Sequence, residues 1–170
     1  MMFARPVPLG PEHRLEAFGC GKTPLDVWLA RYARQAEASG SARTFIVEEL
    51  TEHSVAGYFS LTVGQVDILE APDRVRKGMG RFPIPVILLA RLAVASACQG
   101  QGIGYAMLQD VIRRSLLLAE LVGIRALLTH PIDAEAERFY LQYGFIPSPL
   151  REQQLLLLLK DARKLVPLGD

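Results

Sequence analysis

The sequence is poor in cysteine, and it has neither a long hydrophobic run nor an excess of charge of one sign. Its two cysteines, Cys20 and Cys98, are too few for a disulfide framework, so we expect two reduced thiols. The most apolar stretch, residues 82–97, carries Arg91 and is shorter than the roughly 20 residues that a membrane helix needs. The N-terminus lacks the basic segment and apolar core of a secretory signal. We therefore expect a cytoplasmic protein that does not enter a membrane.

The composition is that of a folded chain whose charges nearly cancel. The formal net charge is +1 over 170 residues, so no global charge demands a nucleic-acid partner. Hydrophobic residues make up 50% of the chain, which argues against disorder. We expect a single domain over residues 1–160, followed by a charged and loosely held tail over 161–170.

Apolar periodicity predicts a mixed α/β sheet flanked by helices. Alternating or continuously apolar runs predict strands over residues 3–9, 44–50, 55–68, 86–95, 124–129 and 153–159. Helical spacing predicts a helical turn over residues 12–19 and helices over 23–39, 102–121 and 134–143. We expect Thr23 to cap the first long helix and Pro24 to occupy its first position.

A glycine-rich turn, residues 99–104, lies between the apolar run 86–94 and the longest predicted helix. The first N–H groups of a helix have no internal partner and the helix dipole favours an anion there, so this order of elements predicts a phosphate cradle. The turn lacks the Lys-Ser or Lys-Thr of a P-loop, and a dinucleotide fingerprint fails at Tyr105 or Met107, depending on its starting glycine. The spacing that fits is Gln-x-x-Gly-x-Gly, formed by Gln99, Gly102 and Gly104.

This spacing resembles the pyrophosphate-binding motif of the GNAT N-acetyltransferases. A second block, residues 136–145 with the sequence AERFYLQYGF, resembles the block on the next helix of that family. The resemblance implies a twisted mixed sheet of about six or seven strands with about four helices, acetyl-CoA as the acetyl donor and no metal. It also implies that Tyr140 protonates the departing thiolate, whereas Phe139 belongs to the core.

The same resemblance implies which residues bind the donor. Backbone N–H groups of the turn would hold the pyrophosphate, and the end of the preceding strand would pair with the pantetheine arm; Gln99 would donate through its side-chain amide. The predicted cofactor-binding residues are Leu92, Ala93, Val94, Gln99, Gly100, Gln101, Gly102, Ile103 and Gly104.

Further blocks are similar to the GNAT toxins of bacterial type II toxin–antitoxin pairs. They are CG at 20–21, LD at 25–26, ARTF at 42–45, GYFSL at 57–61, PIPV at 83–86 and RLAV at 91–94. This narrower resemblance implies acetylation of the amino group of aminoacyl-tRNA, which blocks translation, and neutralisation by a ribbon-helix-helix antitoxin. The chain departs from the pattern at Ala95–Ala97 and Ile132, where relatives often carry polar or charged residues.

The acceptor can also be argued from a missing base. The predicted central strand, 86–94, contains no Asp or Glu, and we expect the nearest histidine, His130, to be structural. Deprotonating a lysine amine at pH 7 costs about 4.6 kcal/mol, but an α-amine costs only about 1.4 kcal/mol. An α-amine acceptor is therefore favoured. The residues leave two alternatives open: a GNAT enzyme acting on a small amine or a protein N-terminus, and a coenzyme A-binding module without catalysis.

Basic residues supply candidates for contact with tRNA phosphates. We single out Arg74, Arg76, Lys77, Arg81 and Arg91, although Arg91 lies among apolar residues and is equally suited to an internal partner. The apolar content is also compatible with a homodimer.

Overall fold

The computed structural model describes residues 1–167, which form a seven-stranded mixed sheet and six helices. The strands are β1 (Val7–Pro8), β2 (Arg43–Glu48), β3 (Val55–Val66), β4 (Ile84–Val94), β5 (Ala126–Thr129), β6 (Ile146–Pro147) and β7 (Leu155–Leu158). The helices are α1 (Thr23–Arg31), α2 (Ala33–Ser39), α3 (Asp73–Arg76), α4 (Ile103–Ala119), α5 (Ala134–Gln142) and α6 (Leu159–Ala162). The predicted mixed α/β architecture is confirmed.

The strand order in the sheet is β1-β2-β3-β4-β5-β7-β6. β4 and β5 pair in parallel, whereas β1 with β2, β2 with β3, β5 with β7 and β6 with β7 pair antiparallel. No helix within residues 1–167 combines the length and apolar character needed to cross a bilayer.

The chain divides into two compact units. The first contains Met1–Thr62 and Ala90–Asp110, and the second contains residues 63–89 and 111–167 of the described chain. β3 and β4 contribute residues to both units. The single domain expected over residues 1–160 stays a prediction, and the two units are described separately.

The core of the first unit packs α1 and α2 against β3. Leu29 is fully buried, and Tyr58 is buried with its hydroxyl donating to the Leu25 carbonyl over 2.7 Å. The helix predicted over residues 23–39 is broken at Tyr32, whose φ of −119° leaves the helical range. The cap also differs from the prediction, because Lys22 holds the cap position and makes no side-chain cap bond.

Neighbouring residues of β3 point to opposite faces of the sheet. Tyr58 packs with the ring of Trp28, which belongs to α1. Gly57 faces the other way, where an added Cβ would lie 3.1–3.2 Å from the side chain of Met107 and 3.1 Å from the Ala93 carbonyl. Since Met107 belongs to α4, α1 and the start of α4 pack on opposite faces of β3. The missing side chain of Gly57 lets α4 come this close.

The second unit is built around β5 and β7, whose residues are all buried. The last strand is shorter than the predicted 153–159, because Gln153 has a φ of +53° and Leu159 begins α6. The two-residue strand β6 was not predicted.

The described part of the predicted tail is ordered and packed. Ala162 is fully buried, and Arg74 pairs with Asp161 through two contacts of 2.7 and 3.0 Å. A 3₁₀ turn follows over Arg163–Leu165. These contacts differ from the expectation of a loosely held segment; residues 168–170 lie outside the described part.

Candidate active site

The glycine-rich turn connects the end of β4 to α4 in the first unit, as predicted. Ala95 N–H donates to the Ala56 carbonyl and Ser96 N–H to the Gly19 carbonyl, each over 2.8 Å. These bonds tie the start of the turn to β3 and to the loop before α1. The first hydrogen bond of α4 runs from Ala106 N–H to the Gly102 carbonyl. The N–H groups of residues 102–104 therefore precede the helical ladder and are available for an anion.

Two glycines give the turn its shape. Gly100 and Gly102 have φ angles of +80° and +82°, in the left-handed region that favours glycine. No atom lies within 4 Å of the positions that their Cβ atoms would occupy. The turn therefore presents backbone to open space, which suits the close approach of a phosphate group.

The side chain of Gln99 hydrogen-bonds the backbone around the turn. Its amide nitrogen donates to the carbonyls of Cys20 and Val94, each over 3.1 Å. An amide nitrogen has two donors, and both are engaged. This differs from the expectation that the Gln99 side chain donates to a bound cofactor, because it holds the backbone of the turn instead.

Leu92, Ala93 and Val94 form the last part of β4. The parallel ladder between β4 and β5 ends where Leu89 meets Thr129. The three residues therefore extend past the end of that ladder in extended conformation. An extended backbone in this position can hydrogen-bond a second extended chain, as the sequence analysis expected for a pantetheine arm.

Arg91 lies on the same strand and contacts an aromatic ring. Its guanidinium carbon is 3.9 Å from the ring centroid of Trp28, and the Trp28 and Tyr58 rings stack with centroids 6.1 Å apart. Burial lowers the pKa of Arg91, and the charge interaction with Tyr58 acts in the opposite direction. Of its two predicted environments, tRNA contact or an internal partner, the structure shows an aromatic partner.

Tyr140 lies on α5 in the second unit. Asp133 caps the start of this helix, because its carboxylate accepts from Ala136 N–H over 2.9 Å. Tyr140 is only 5% exposed and packs against Phe139 and Phe145, with ring centroids 5.2 and 5.1 Å away.

Burial raises the pKa of the Tyr140 phenol to about 12, although a hydrogen bond with Thr129 acts in the opposite direction. The Thr129 hydroxyl itself donates to the Leu89 carbonyl over 2.9 Å. Tyr140 stays protonated at neutral pH, as an acid must.

The basic residues between β3 and β4, predicted to contact tRNA phosphates, are only partly free of other partners. Arg76 pairs with Asp73 and Arg74 with Asp161, so two of the candidate cations have carboxylate partners within the second unit. Arg74 lowers the pKa of Asp161. Lys77 and Arg81 are exposed.

The role of Arg125, which contacts this segment, was missed from the sequence. Arg125 donates to the Val75 and Lys77 carbonyls over 2.9 and 2.8 Å, so it holds the end of α3. Its position directly before β5 carries no local signal for this role. His130 Nε2 lies 3.1 Å from the amide oxygen of Gln154.

Among residues 1–167, His, Cys, Asp and Glu side chains form no group of three that would suit a metal ion. The model of the acetyltransferase (GNAT) domain matches residues 41–147, more than half of the chain. The chain therefore belongs to the GNAT acetyltransferase family.

Individual proteins of this family are similar over nearly the whole chain. The "tRNA-acetylating toxin" of Mycobacterium tuberculosis (strain ATCC 25618 / H37Rv) is 40% identical over 154 residues, which cover 91% of this chain and 90% of that protein. The "Probable toxin TacT" of Sinorhizobium fredii (strain NBRC 101917 / NGR234) is 24% identical over 168 residues, which cover 94% and 93%.

Solved structures agree with the fold. AtaT complexed with acetyl-methionyl-tRNAfMet superposes with a TM-score of 0.88 at 25% identity, covering 96% of this chain and 99% of that one. A tyrosine-to-phenylalanine mutant of KacT superposes with a TM-score of 0.84 at 23% identity, covering 91% and 92%, and supports the fold alone.

Proposed function

We propose that this chain transfers the acetyl group of acetyl-CoA to the α-amine of aminoacyl-tRNA and thereby acts as a translation-blocking toxin. The observation that carries the proposal is the 40% identity, over 91% of the chain, to a protein named for acetylating tRNA. The superposition on a toxin complexed with acetyl-methionyl-tRNAfMet supports the same acceptor.

The donor fits the turn between β4 and α4. Backbone N–H groups of Gln101–Gly104 would hold the pyrophosphate, because Gly100 and Gly102 leave no side chain in its way. The extended backbone of Leu92–Val94 would pair with the pantetheine arm. Bound in this way, acetyl-CoA supplies an acetyl thioester, whose carbonyl carbon is the electrophile. A solved structure of AtaTR bound with acetyl-CoA has the same fold.

The transfer requires one bond to form and one to break. The neutral α-amine attacks the thioester carbonyl carbon, the C–S bond breaks, and the sulfur leaves as a thiolate. We propose that Tyr140 gives its phenolic proton to that sulfur. Burial makes the phenol a weaker acid than free tyrosine, since its pKa rises to about 12. The proton must therefore move as the C–S bond breaks, and the proton released by the amine restores the phenol.

The proposal also covers the partner protein and the assembly state of this chain. AtaT has been solved bound to the C-terminus of the antitoxin AtaR. By analogy we propose a ribbon-helix-helix antitoxin as the partner of this chain, action in the cytoplasm, and a homodimer as its assembly state.

Incubation of the protein with a panel of charged tRNAs and labelled acetyl-CoA tests the function. We expect label on at least one aminoacyl-tRNA and its loss after mild base, which cleaves the aminoacyl ester. Transfer to peptide N-termini or small amines, with none to any charged tRNA, would support the alternative acceptor. Binding of acetyl-CoA without transfer to any amine would identify a non-catalytic module.

A further inference from the structure

The half-buried arginine of β4 has no counter-ion in the described chain. Within residues 1–167, Arg91 makes neither an ion pair nor a hydrogen bond, and its contact is with the Trp28 ring. A guanidinium has five N–H donors, and burying them unsatisfied is unfavourable. The ring covers one face of the group, and no nitrogen of Arg91 is both fully buried and unpaired, so the N–H donors around its edge are open to an acceptor.

The surrounding residues hold this guanidinium in one orientation. Trp28 is fixed by its stacking on Tyr58, which packs edge-to-face against Phe18 with centroids 5.4 Å apart. The Tyr58 hydroxyl is in turn bonded to the Leu25 carbonyl. Because the indole covers one face, the opposite face and the edge of the guanidinium are the parts left to meet a ligand. A planar cation with a free edge and a free face suits a phosphodiester beside a stacked base.

This anion is different from the donor pyrophosphate. The turn that suits the pyrophosphate begins α4, and the start of α4 packs on the face of β3 that Gly57 presents. Arg91 contacts Trp28, which packs on the opposite face with Tyr58. Arg91 lies within β4, before the turn, on the face that Trp28 covers. A ligand on the Arg91 side therefore belongs to the acceptor.

We propose that Arg91 and Trp28 form a subsite for the single-stranded 3′ end of the acceptor RNA. Arg91 donates hydrogen bonds to the last phosphodiester, and the terminal base stacks on the guanidinium that Trp28 supports. Stacking of unpaired bases on arginine planes is a common mode of RNA recognition. The inference rests on the proposed function, because it takes aminoacyl-tRNA as the acceptor. According to this inference, the subsite binds the 3′ end of the RNA whichever amino acid the tRNA carries.

Steady-state kinetics of three variants test the subsite: Arg91→Gln, Arg91→Lys and Arg5→Gln. Arg5→Gln is the matched charge control, because Arg5 is exposed and lies in the same unit. For Arg91→Gln we expect KM for charged tRNA to rise about ten- to hundredfold, with kcat and KM for acetyl-CoA unchanged. The slope of log KM against log salt concentration should fall by about 0.7, as for one lost contact to a single strand. Arg91→Lys should keep the salt slope, because it keeps the positive charge. It should not keep the full affinity, because lysine lacks the planar guanidinium on which the base stacks.

Direct binding separates this inference from the proposed function. Trp28 is the one tryptophan of the chain, so its fluorescence reports on the subsite. Titration with an uncharged RNA minihelix ending in CCA should change the emission in a saturable way, weakly in Arg91→Gln and normally in Arg5→Gln. Equal binding by all three proteins, or a raised KM for acetyl-CoA in Arg91→Gln, would overturn the subsite. Failure of the wild-type protein to acetylate any charged tRNA, despite this binding, would overturn the proposed function alone.

Discussion

The side-chain amide of Gln99 donates to the backbone carbonyl of Val94, the last residue of β4, over 3.1 Å. The same nitrogen donates to Cys20, so one side chain ties the strand, the turn and the loop before α1. The turn is therefore preorganised by a residue whose own donors do not face the ligand. This geometry makes Gln99 a positioning residue.

Replacing Gln99 by leucine should weaken the binding of acetyl-CoA indirectly. Two hydrogen bonds contribute about 0.5–1.5 kcal/mol each to stability, so we expect a lower melting temperature and a KM for acetyl-CoA raised several-fold. Thermal melts and calorimetric titration with acetyl-CoA measure both effects. Gln35→Leu, at an exposed position of α2, is the control, and a Gln99 variant equal to it would refute the positioning role.

Gly102→Ala should affect ligand binding more than folding. Its φ of +82° imposes a backbone cost of about 1–2 kcal/mol on alanine, and the added methyl group points into the open space expected to receive the phosphate. We expect a loss of acetyl-CoA affinity larger than the loss of stability. Gly80→Ala provides the comparison, because that glycine also has open space around it but no positive φ. Equal effects at the two positions would argue against a phosphate at the turn.

Tyr140→Phe should reduce kcat about 10²–10⁴-fold, the usual contribution of a general acid, while acetyl-CoA binding is retained. Because the pKa of Tyr140 is about 12, its protonation should not limit the rate of the wild-type enzyme below about pH 11. Steady-state kinetics from pH 6 to 10 and a binding titration measure these effects. The exposed Tyr32→Phe is the control. A fully active Tyr140→Phe protein would remove Tyr140 from the chemistry.

The double variant Lys77→Glu/Arg81→Glu should weaken tRNA acetylation and leave KM for acetyl-CoA unchanged, because both side chains are exposed cations. Arg74→Glu should act differently: it places a carboxylate beside Asp161, so it should lower the melting temperature. Acetylation assays over a range of salt concentrations, together with thermal melts, distinguish the two effects. Wild-type activity of the double variant at every salt concentration would exclude this segment from tRNA contact.

The buried thiol of Cys20 should make the fold sensitive to alkaline pH. Burial raises the pKa of Cys20 from 9.0 to about 11, so the folded state favours the neutral thiol. Its contribution to stability is complete below about pH 9 and is lost as the pH rises toward 11. Urea unfolding at pH 7, 9 and 10.5 should show a steeper decline for the wild-type protein than for Cys20→Ala. Parallel declines would contradict this assignment.

The elements that the sequence predicted well have strong local patterns. β4 is an almost continuous apolar run, and α4 follows two glycines whose positive φ angles require that residue type. The strand that escaped prediction, β6 (Ile146–Pro147), is too short to carry a period. The break between α1 and α2 at Tyr32 has no proline or glycine to mark it.

The site was predicted in its motifs but not in its tertiary contacts. Gln99 belongs to the recognised spacing, yet its role depends on Cys20, 79 residues away in the chain. Two further contacts also join segments that are distant in sequence: Arg91 stacks on Trp28, and Arg125 hydrogen-bonds the backbone at the end of α3. No local pattern specifies such pairs, because they arise from packing.

The packed C-terminal helix has a genetic consequence. Ala162 is fully buried and Asp161 binds Arg74 beside α3, so a nonsense codon at any position from 159 to 161 removes both contacts and opens the core behind β7. If expression of this gene arrests growth, survivors selected for loss of toxicity should include such late truncations as well as substitutions in the turn. Loss of α6 is therefore expected to inactivate the protein, as substitutions in the turn do.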